Sequence, residues 1–204
     1  MRIGIDFDNT LINYDDSFVR VARELGWTPP PGVGGKNGVR EFVRGLEEGE
    51  EKWRRLQAAV YGPRIGHARL RDGVRPFLEQ ATARGATLFV VSHKTRFATG
   101  DPEQICDLRQ AAATWLWQQG ILAPVGSGIP PEHLFFAATR TEKVARITQL
   151  RCDLFIDDLP EVFADPGFPP ATRRILLDPW GDLAADPAWE RCRDWEAISR
   201  LLFA

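Results

Sequence analysis

Five short apolar runs set the rhythm of the chain: Ile3–Ile5, Thr87–Val91, Leu134–Ala137, Leu154–Ile156 and Ile175–Leu177. The second, third and fourth are each followed by a helical pattern. Val74, Phe77, Leu78 and Ala81 show helical spacing just before the second run. After it, Asp101-Pro102-Glu103-Gln104 reads as an N-cap with proline at the first helical position and a Gln placed for a capping box. The helix it predicts carries Ile105, Leu108, Ala112 and Leu116 on one face and stops at Gly120. Thr139-Arg140-Thr141-Glu142 fits a second capping box, with Val144, Ile147 and Leu150 behind it. Asp186-Pro187 opens a last helix running through Trp195, Ile198, Leu201 and Leu202. Strands alternating with helices predict an α/β fold, a parallel sheet covered on both faces.

One stretch breaks the rhythm. The first two strands are separated by far more residues than a crossover needs. Val39, Phe42, Val43 and Leu46 form one helical stripe there, and Trp53, Leu56 and Val60 another, after a Pro- and Gly-rich loop at residues 29–38. Residues 14–72 read as a small helical insertion on a sheet domain made of 1–13 and 73–204. The acidic run Glu47–Glu51 reads as a solvated helix end.

At 204 residues the chain is long enough for one large domain or a core with an insertion. Its formal net charge of −2 argues against non-specific nucleic-acid binding. No apolar run approaches the roughly 18 residues of a membrane helix, and the first residues lack the pattern of a signal peptide. Cys106, Cys152 and Cys192 are odd in number and lack metal-type spacing; they read as thiols in a reducing compartment. His67, His93 and His133 have no zinc-ligand spacing. The expectation is a cytoplasmic protein with no membrane and no nucleic-acid partner; the sequence sets no oligomeric state.

In a parallel sheet, ligands bind beyond the carboxyl ends of the strands. Along that edge the first strand runs into Asp6-Phe7-Asp8-Asn9-Thr10. The second ends at Ser92, followed by His93-Lys94-Thr95. Lys143 lies in the helix after the third, and the fourth runs into Asp157-Asp158. Two carboxylates two apart at a buried strand end repel unless a cation lies between them or one holds a proton. The pattern predicts a metal site or a paired nucleophile and acid/base.

This order of groups resembles the haloacid dehalogenase superfamily, mostly magnesium-dependent phosphate-ester hydrolases. Asp6-Phe7-Asp8-Asn9-Thr10 matches its first motif, Ser92 the second, Lys143 the third and Asp157-Asp158 the fourth, over about 3–160. The resemblance implies a Rossmann-like core, with residues 14–72 as a helical cap. It implies Asp6 as the nucleophile that forms an aspartyl-phosphate and Asp8 as the acid/base. Ser92 and Lys143 would hold phosphoryl oxygens. Mg2+ would be bound by Asp6, the Asp8 main-chain carbonyl and one of Asp157 and Asp158, with register favouring Asp158. Asn9, Thr10, His93 and Lys94 are candidate substrate contacts.

Plainer readings stand beside these. Asp6–Asn9, Ser92 and Asp157-Asp158 are also turn residues, and Lys143 is also a solvated helix lysine, with Lys94 its rival beside Ser92. His93 suits a structural or substrate-edge place better than a catalytic one. Trp115 and Trp117 read as packing, and Glu161 as a loop anchor or a helix start. Lys36, Asn37, Arg40, Arg64 and His67 are the polar insertion residues from which substrate choice is expected. The reading is a Mg-dependent phosphatase of a small phosphorylated metabolite, a sugar phosphate or nucleotide. The alternatives are phosphoryl transfer to an acceptor other than water, and a non-catalytic binding protein on the same fold. The Arg-rich stretch 64–71 motivates a nucleic-acid end-processing role, which the acidic net charge opposes.

Overall fold

A computed structural model describes residues 1–99, 105–124, 126, 128–183 and 186–204. The chain divides into two compact units. The first holds Met1–Leu11, Leu70–Lys94 and Gln119–Ala204; the second holds Ile12–Arg69 and Thr95–Gln118.

In chain order the strands are β1 (Arg2–Ile5), β2 (Ile12–Asn13), β3 (Arg69–Leu70), β4 (Thr87–His93), β5 (Leu134–Ala137), β6 (Leu154–Asp157), β7 (Arg173–Leu177) and β8 (Glu190–Cys192). The helices are α1 (Asp15–Glu24), α2 (Gly35–Arg44), α3 (Gly49–Tyr61), α4 (Val74–Ala83), α5 (Leu108–Gln118), α6 (Arg140–Gln149), α7 (Pro160–Phe163) and α8 (Trp195–Phe203).

Six strands of the first unit form one parallel sheet in the order β5-β4-β1-β6-β7-β8. This is the expected α/β, Rossmann-like architecture. On one face Phe89, Val91, Phe155 and Leu176 pack with Val144 and Ile147 of α6, Val162 and Phe163 of α7, and Phe168. Leu88 and Val90 alternate with them and are buried on the opposite side, while Phe77 of α4 meets Trp195 of α8 at 4.8 Å between ring centres. Each such side chain contributes about 1.5–3 kcal/mol on full burial. Gly4 is dictated by packing, since a Cβ there would lie 2.4 Å from Phe155 Cδ2.

The second unit is helical. Phe18 and Val21 of α1, Val39 and Val43 of α2, and Trp53, Leu56 and Val60 of α3 are buried, and the Phe18 and Trp53 rings stack at 5.3 Å. The stripes read from the sequence are the buried ones, with Phe42 and Leu46 at their half-buried margin. Polar residues of this unit engage one another: Arg64 Nε and His67 Nε2 lie 3.0 and 2.9 Å from the Glu24 carboxylate, and Lys36 Nζ sits 5.8 Å from the Tyr61 ring centre.

Three expectations about the elements require correction. Residues 95–118 were expected in the sheet domain, yet they group with the helical unit, because α5 packs on α3 and on the 3-10 turn Ile65–His67. Helical spacing shows that a face is buried, not which partner receives it. The capping box at 101–104 lies outside the described residues. The helix following it starts at Leu108, where Asp107 Oδ1 accepts from the amides of Arg109 and Gln110 at 3.0 and 3.1 Å. Ile105 precedes that helix and is exposed. The last helix begins at Trp195, with Asp194 Oδ1 accepting from Ala197 N at 2.6 Å, and not at Asp186. Part of the stretch assigned to it, Glu190–Cys192, is the edge strand β8, paired Leu177↔Cys192. Three residues of mixed polarity carry too little period to announce a strand.

The Thr139 box forms as read: its hydroxyl accepts from Glu142 N at 3.1 Å, while Glu142 Oε2 accepts from Ala138 N at 2.8 Å. No helix among the described residues is long and apolar enough to cross a membrane.

Candidate active site

Register brings the strand ends together. Ile5 pairs with Val90 on one side and Ile156 on the other, and Asp6 N continues the ladder by donating to Ile156 O at 2.9 Å. Beyond this line the chain leaves the sheet, so β1, β4 and β6 deliver Asp6, Ser92 and Asp157 to one edge. The β4–β5 pairing brings His93 opposite Ala137, and the capped N-terminus of α6 then carries Lys143 inward.

Two lysines divide the carboxylates between them. Lys143 is fully buried, and its Nζ lies 2.6 Å from Asp6 Oδ1 and 2.6 Å from Asp157 Oδ2. Lys94 is also buried, with Nζ 2.8 Å from Asp8 Oδ2 and 3.0 Å from Asp8 Oδ1. The two lysines that rival one another in the sequence thus pair with different aspartates. Asp157 does form the turn of its plainer reading, accepting from Leu159 N through Oδ1 at 3.0 Å, but its second oxygen is bound to Lys143. Thr10 is fully buried and its hydroxyl lies 3.4 Å from Asp158 Oδ1. Ser92 is fully buried, and its Oγ has no hydrogen-bond partner among the described residues.

Burial pushes the Asp6 carboxyl well above the usual range; Lys143 opposes this, while Asp157, Asp158 and Asp8 add to it. Burial also works against the Lys143 charge, but the Asp157 and Asp6 carboxylates outweigh it and hold the ammonium above the ordinary lysine value. Four carboxylates and two ammonium groups thus share this edge, a surplus of negative charge that reaches two when Asp6 is also ionised. Asp6, Asp157 and Asp158 each offer an oxygen within 4.8 Å of the others. Octahedral oxygen ligands at about 2.1 Å from an ion stand roughly 3 Å apart when adjacent and 4.2 Å when opposite. The donor set and its charge fit a divalent cation such as Mg2+. The Asp8 carboxylate stands outside this trio, on Lys94.

Other candidates stand apart. His93 is exposed, with Nε2 donating to Ala138 O at 3.1 Å. Glu161 is exposed in the first turn of α7. Trp115 is buried and Trp117 exposed on α5. Asn9 takes a left-handed conformation, φ 58°, which lets the chain turn after Asp8.

Two residues that sequence reasoning missed hold that turn. Arg71 Nε donates to Asn9 O at 2.6 Å, and the buried Trp195 Nε1 donates to Thr10 O at 3.0 Å. Arg71 appeared only within an Arg-rich stretch and Trp195 only on a helix face. Neither pattern carries a signal of a bond to a main-chain carbonyl far away in sequence.

No family model matches the sequence, and no curated protein matches it. Solved structures do. Protein Tyrosine Kinase A of Mycobacterium tuberculosis is similar at 18% identity and a TM-score of 0.57, covering 100% of this chain and 98% of that one. The HAD-hydrolase YfnB from Bacillus subtilis, solved bound to magnesium, matches at 13% identity and 0.56, covering 100% and 98%. A phosphoserine phosphohydrolase-like protein from Francisella tularensis matches at 14% and 0.53, covering 99% of each chain. The fold is that of haloacid dehalogenase-superfamily hydrolases.

Proposed function

We propose that this chain is a magnesium-dependent phosphatase of a small phosphorylated metabolite that works through an aspartyl-phosphate on Asp6. The observation that carries the reading is the buried Lys143 ammonium shared between Asp6 and Asp157. Packing alone gives no reason to bury a lysine against two aspartates at the edge where strands deliver ligands.

An Asp6 oxygen attacks phosphorus, the bond from phosphorus to the leaving oxygen breaks, and that oxygen takes a proton from Asp8. Water then attacks the aspartyl-phosphate, its proton passes to Asp8, and phosphate leaves with Asp6 restored as a carboxylate. Lys143 and the Ser92 hydroxyl offer donors to the phosphoryl oxygens as charge develops; the Ser92 Oγ, without a partner among the described residues, is of the kind a phosphoryl oxygen satisfies. Asp6, the Asp8 carbonyl and Asp158 would hold Mg2+, which supplies the charge neutralisation that lets an anionic phosphate approach an anionic nucleophile. Asp158 is preferred to Asp157 on the register of the motif, Asp157 Oδ2 being bound to Lys143.

The reading is tested by a phosphate-release screen over sugar phosphates, nucleotides and phosphorylated acids, with and without Mg2+. Release that needs both Mg2+ and Asp6 is expected. An Asp6→Asn variant as active as the natural chain sinks the nucleophile assignment. Phosphoryl transfer to an acceptor other than water is the second reading, favoured by the likeness to a protein named as a tyrosine kinase. It predicts label from a phosphoryl donor on an added acceptor instead of in free phosphate.

A further inference from the structure

We infer that Trp195, on the C-terminal helix α8, is a positioning residue for the loop that carries Asp8, acting through the single hydrogen bond from its indole to Thr10 O. The inference rests on the proposed roles of Asp8 and Asp158.

The loop beyond β1 is held at Asp8 by Lys94 and at its main chain by a few long-range bonds. Leu11 N returns to Phe7 O at 3.0 Å, and between them Asn9 adopts a left-handed backbone, which asparagine takes more readily than other non-glycine residues. The carbonyls of Asn9 and Thr10 are taken by side chains remote in sequence, Arg71 and Trp195. Thr10 is the more consequential of the two. It is fully buried, so its carbonyl needs a partner within the protein, and its hydroxyl faces Asp158 Oδ1. Two residues after Asp8, Thr10 thus links the acid/base loop to the carboxylate trio, and the Trp195 indole fixes its main chain.

The indole is itself held tightly. Trp195 is buried and packs on Phe77. Gly73, at φ +83°, clears space for it, since a Cβ there would stand 2.8 Å from Trp195 Cβ. With the ring fixed by apolar contacts, its N–H has one direction to point. A phenylalanine there would fill only part of the space of this buried indole and offer no donor to the Thr10 carbonyl, so the packing loss and the donor loss need separate controls.

Two variants separate the N–H from the packing. Trp195→Phe keeps an aromatic ring and deletes the donor; Phe77→Leu trims the same packing and leaves the donor. Hydrogen–deuterium exchange of the peptide spanning Asp6–Ile12, followed in the whole protein, reads the loop without reference to activity. Trp195→Phe should speed exchange there at least fivefold, and Phe77→Leu should leave it within twofold while loosening α4. Where the protein hydrolyses a phosphate ester, Trp195→Phe should also lower kcat at least fivefold with KM nearly unchanged. Unchanged loop exchange in Trp195→Phe overturns the inference whatever the activity. So does a loss of loop protection that Phe77→Leu reproduces at an equal fall in Tm. A natural chain inactive on every ester, with the exchange result as expected, counts against the phosphatase reading and leaves the positioning role standing.

Discussion

Lys94 grips Asp8 through both carboxylate oxygens, at 2.8 and 3.0 Å, from the strand end next to that of Asp8. A freely rotating carboxylate samples orientations that cannot exchange a proton with a leaving group; a two-point ion pair removes most of them. The Lys94 ammonium also stands 5.5 Å from the Phe7 ring centre, so its own place is fixed. Lys94→Met should therefore lower kcat by about 100-fold, the lower end of what acid–base work contributes. Because the Asp8 side chain keeps some contact with water, the stability loss should stay near 1–2 kcal/mol. Kinetics and urea unfolding measure the two effects. In a double-mutant cycle with Asp8→Asn the kcat losses should fall well short of additive; full additivity would show that the two residues act apart.

Asp6 predicts an inverted pH response. Its carboxyl is raised above the ordinary 3.8, chiefly by burial, so without a divalent ion the folded chain holds that proton more tightly than the unfolded chain. The contribution to stability is then fully present below pH 3.8 and is lost as pH climbs through the folded value. Asp6→Asn mimics the neutral form. In metal-free buffer its advantage in Tm over the natural chain should grow as pH rises from 5 to 7.5, reaching about 3 °C for about 1 kcal/mol. Magnesium, which favours the ionised carboxylate, should raise the Tm of the natural chain more than that of the variant. Calorimetry with EDTA and then with Mg2+ decides it; a variant less stable than the natural chain at pH 7.5 in EDTA contradicts the argument.

These residues show where sequence is legible. Asp6, Lys143 and Asp157 were readable because each follows an element with a strong periodic signal, and a parallel sheet sends all such ends to one edge. Helix α6 was readable to its cap, since Thr139 and Glu142 act within one turn. The short strand β8 and the grouping of α5 with the helical unit were not, because both depend on which distant surface receives a face. The same holds for Trp195. Its spacing marks it as buried, whereas the bond to Thr10 O exists only once the chain has folded.

Gly4 tests whether the site tolerates a shift of the strand that carries it. An added methyl would meet Phe155 Cδ2 at 2.4 Å and Cys152 Sγ at 3.0 Å, and neither can retreat, because both are buried. Gly4→Ala should cost about 1–3 kcal/mol by overpacking. Since Phe155 adjoins Ile156 and Asp157 on β6, the variant should also lose activity beyond what its stability explains. Trimming the obstacle in Gly4→Ala/Phe155→Leu should restore part of both. An activity loss in Gly4→Ala that the second change does not relieve would place its cause elsewhere.

Lys143 offers the most demanding test, because its two roles pull a substitution in different directions. Lys143→Met removes the ammonium but keeps the length of the side chain, leaving Asp6 and Asp157 buried and facing each other without a cation. Breaking a buried pair in this way costs about 3–5 kcal/mol. Asp157→Asn in the same chain removes the repulsion between the two aspartates, so the double variant should be more stable than Lys143→Met alone, a sign reversal that additive losses cannot produce. Activity should behave otherwise. The double variant still lacks a cation for the developing phosphoryl charge, so kcat should remain at least 10²-fold down even where stability returns. Urea unfolding and phosphate release on the four chains of the cycle separate the two. Recovery of kcat in step with stability would reduce Lys143 to a structural ion, and recovery of stability alone makes it part of the chemistry.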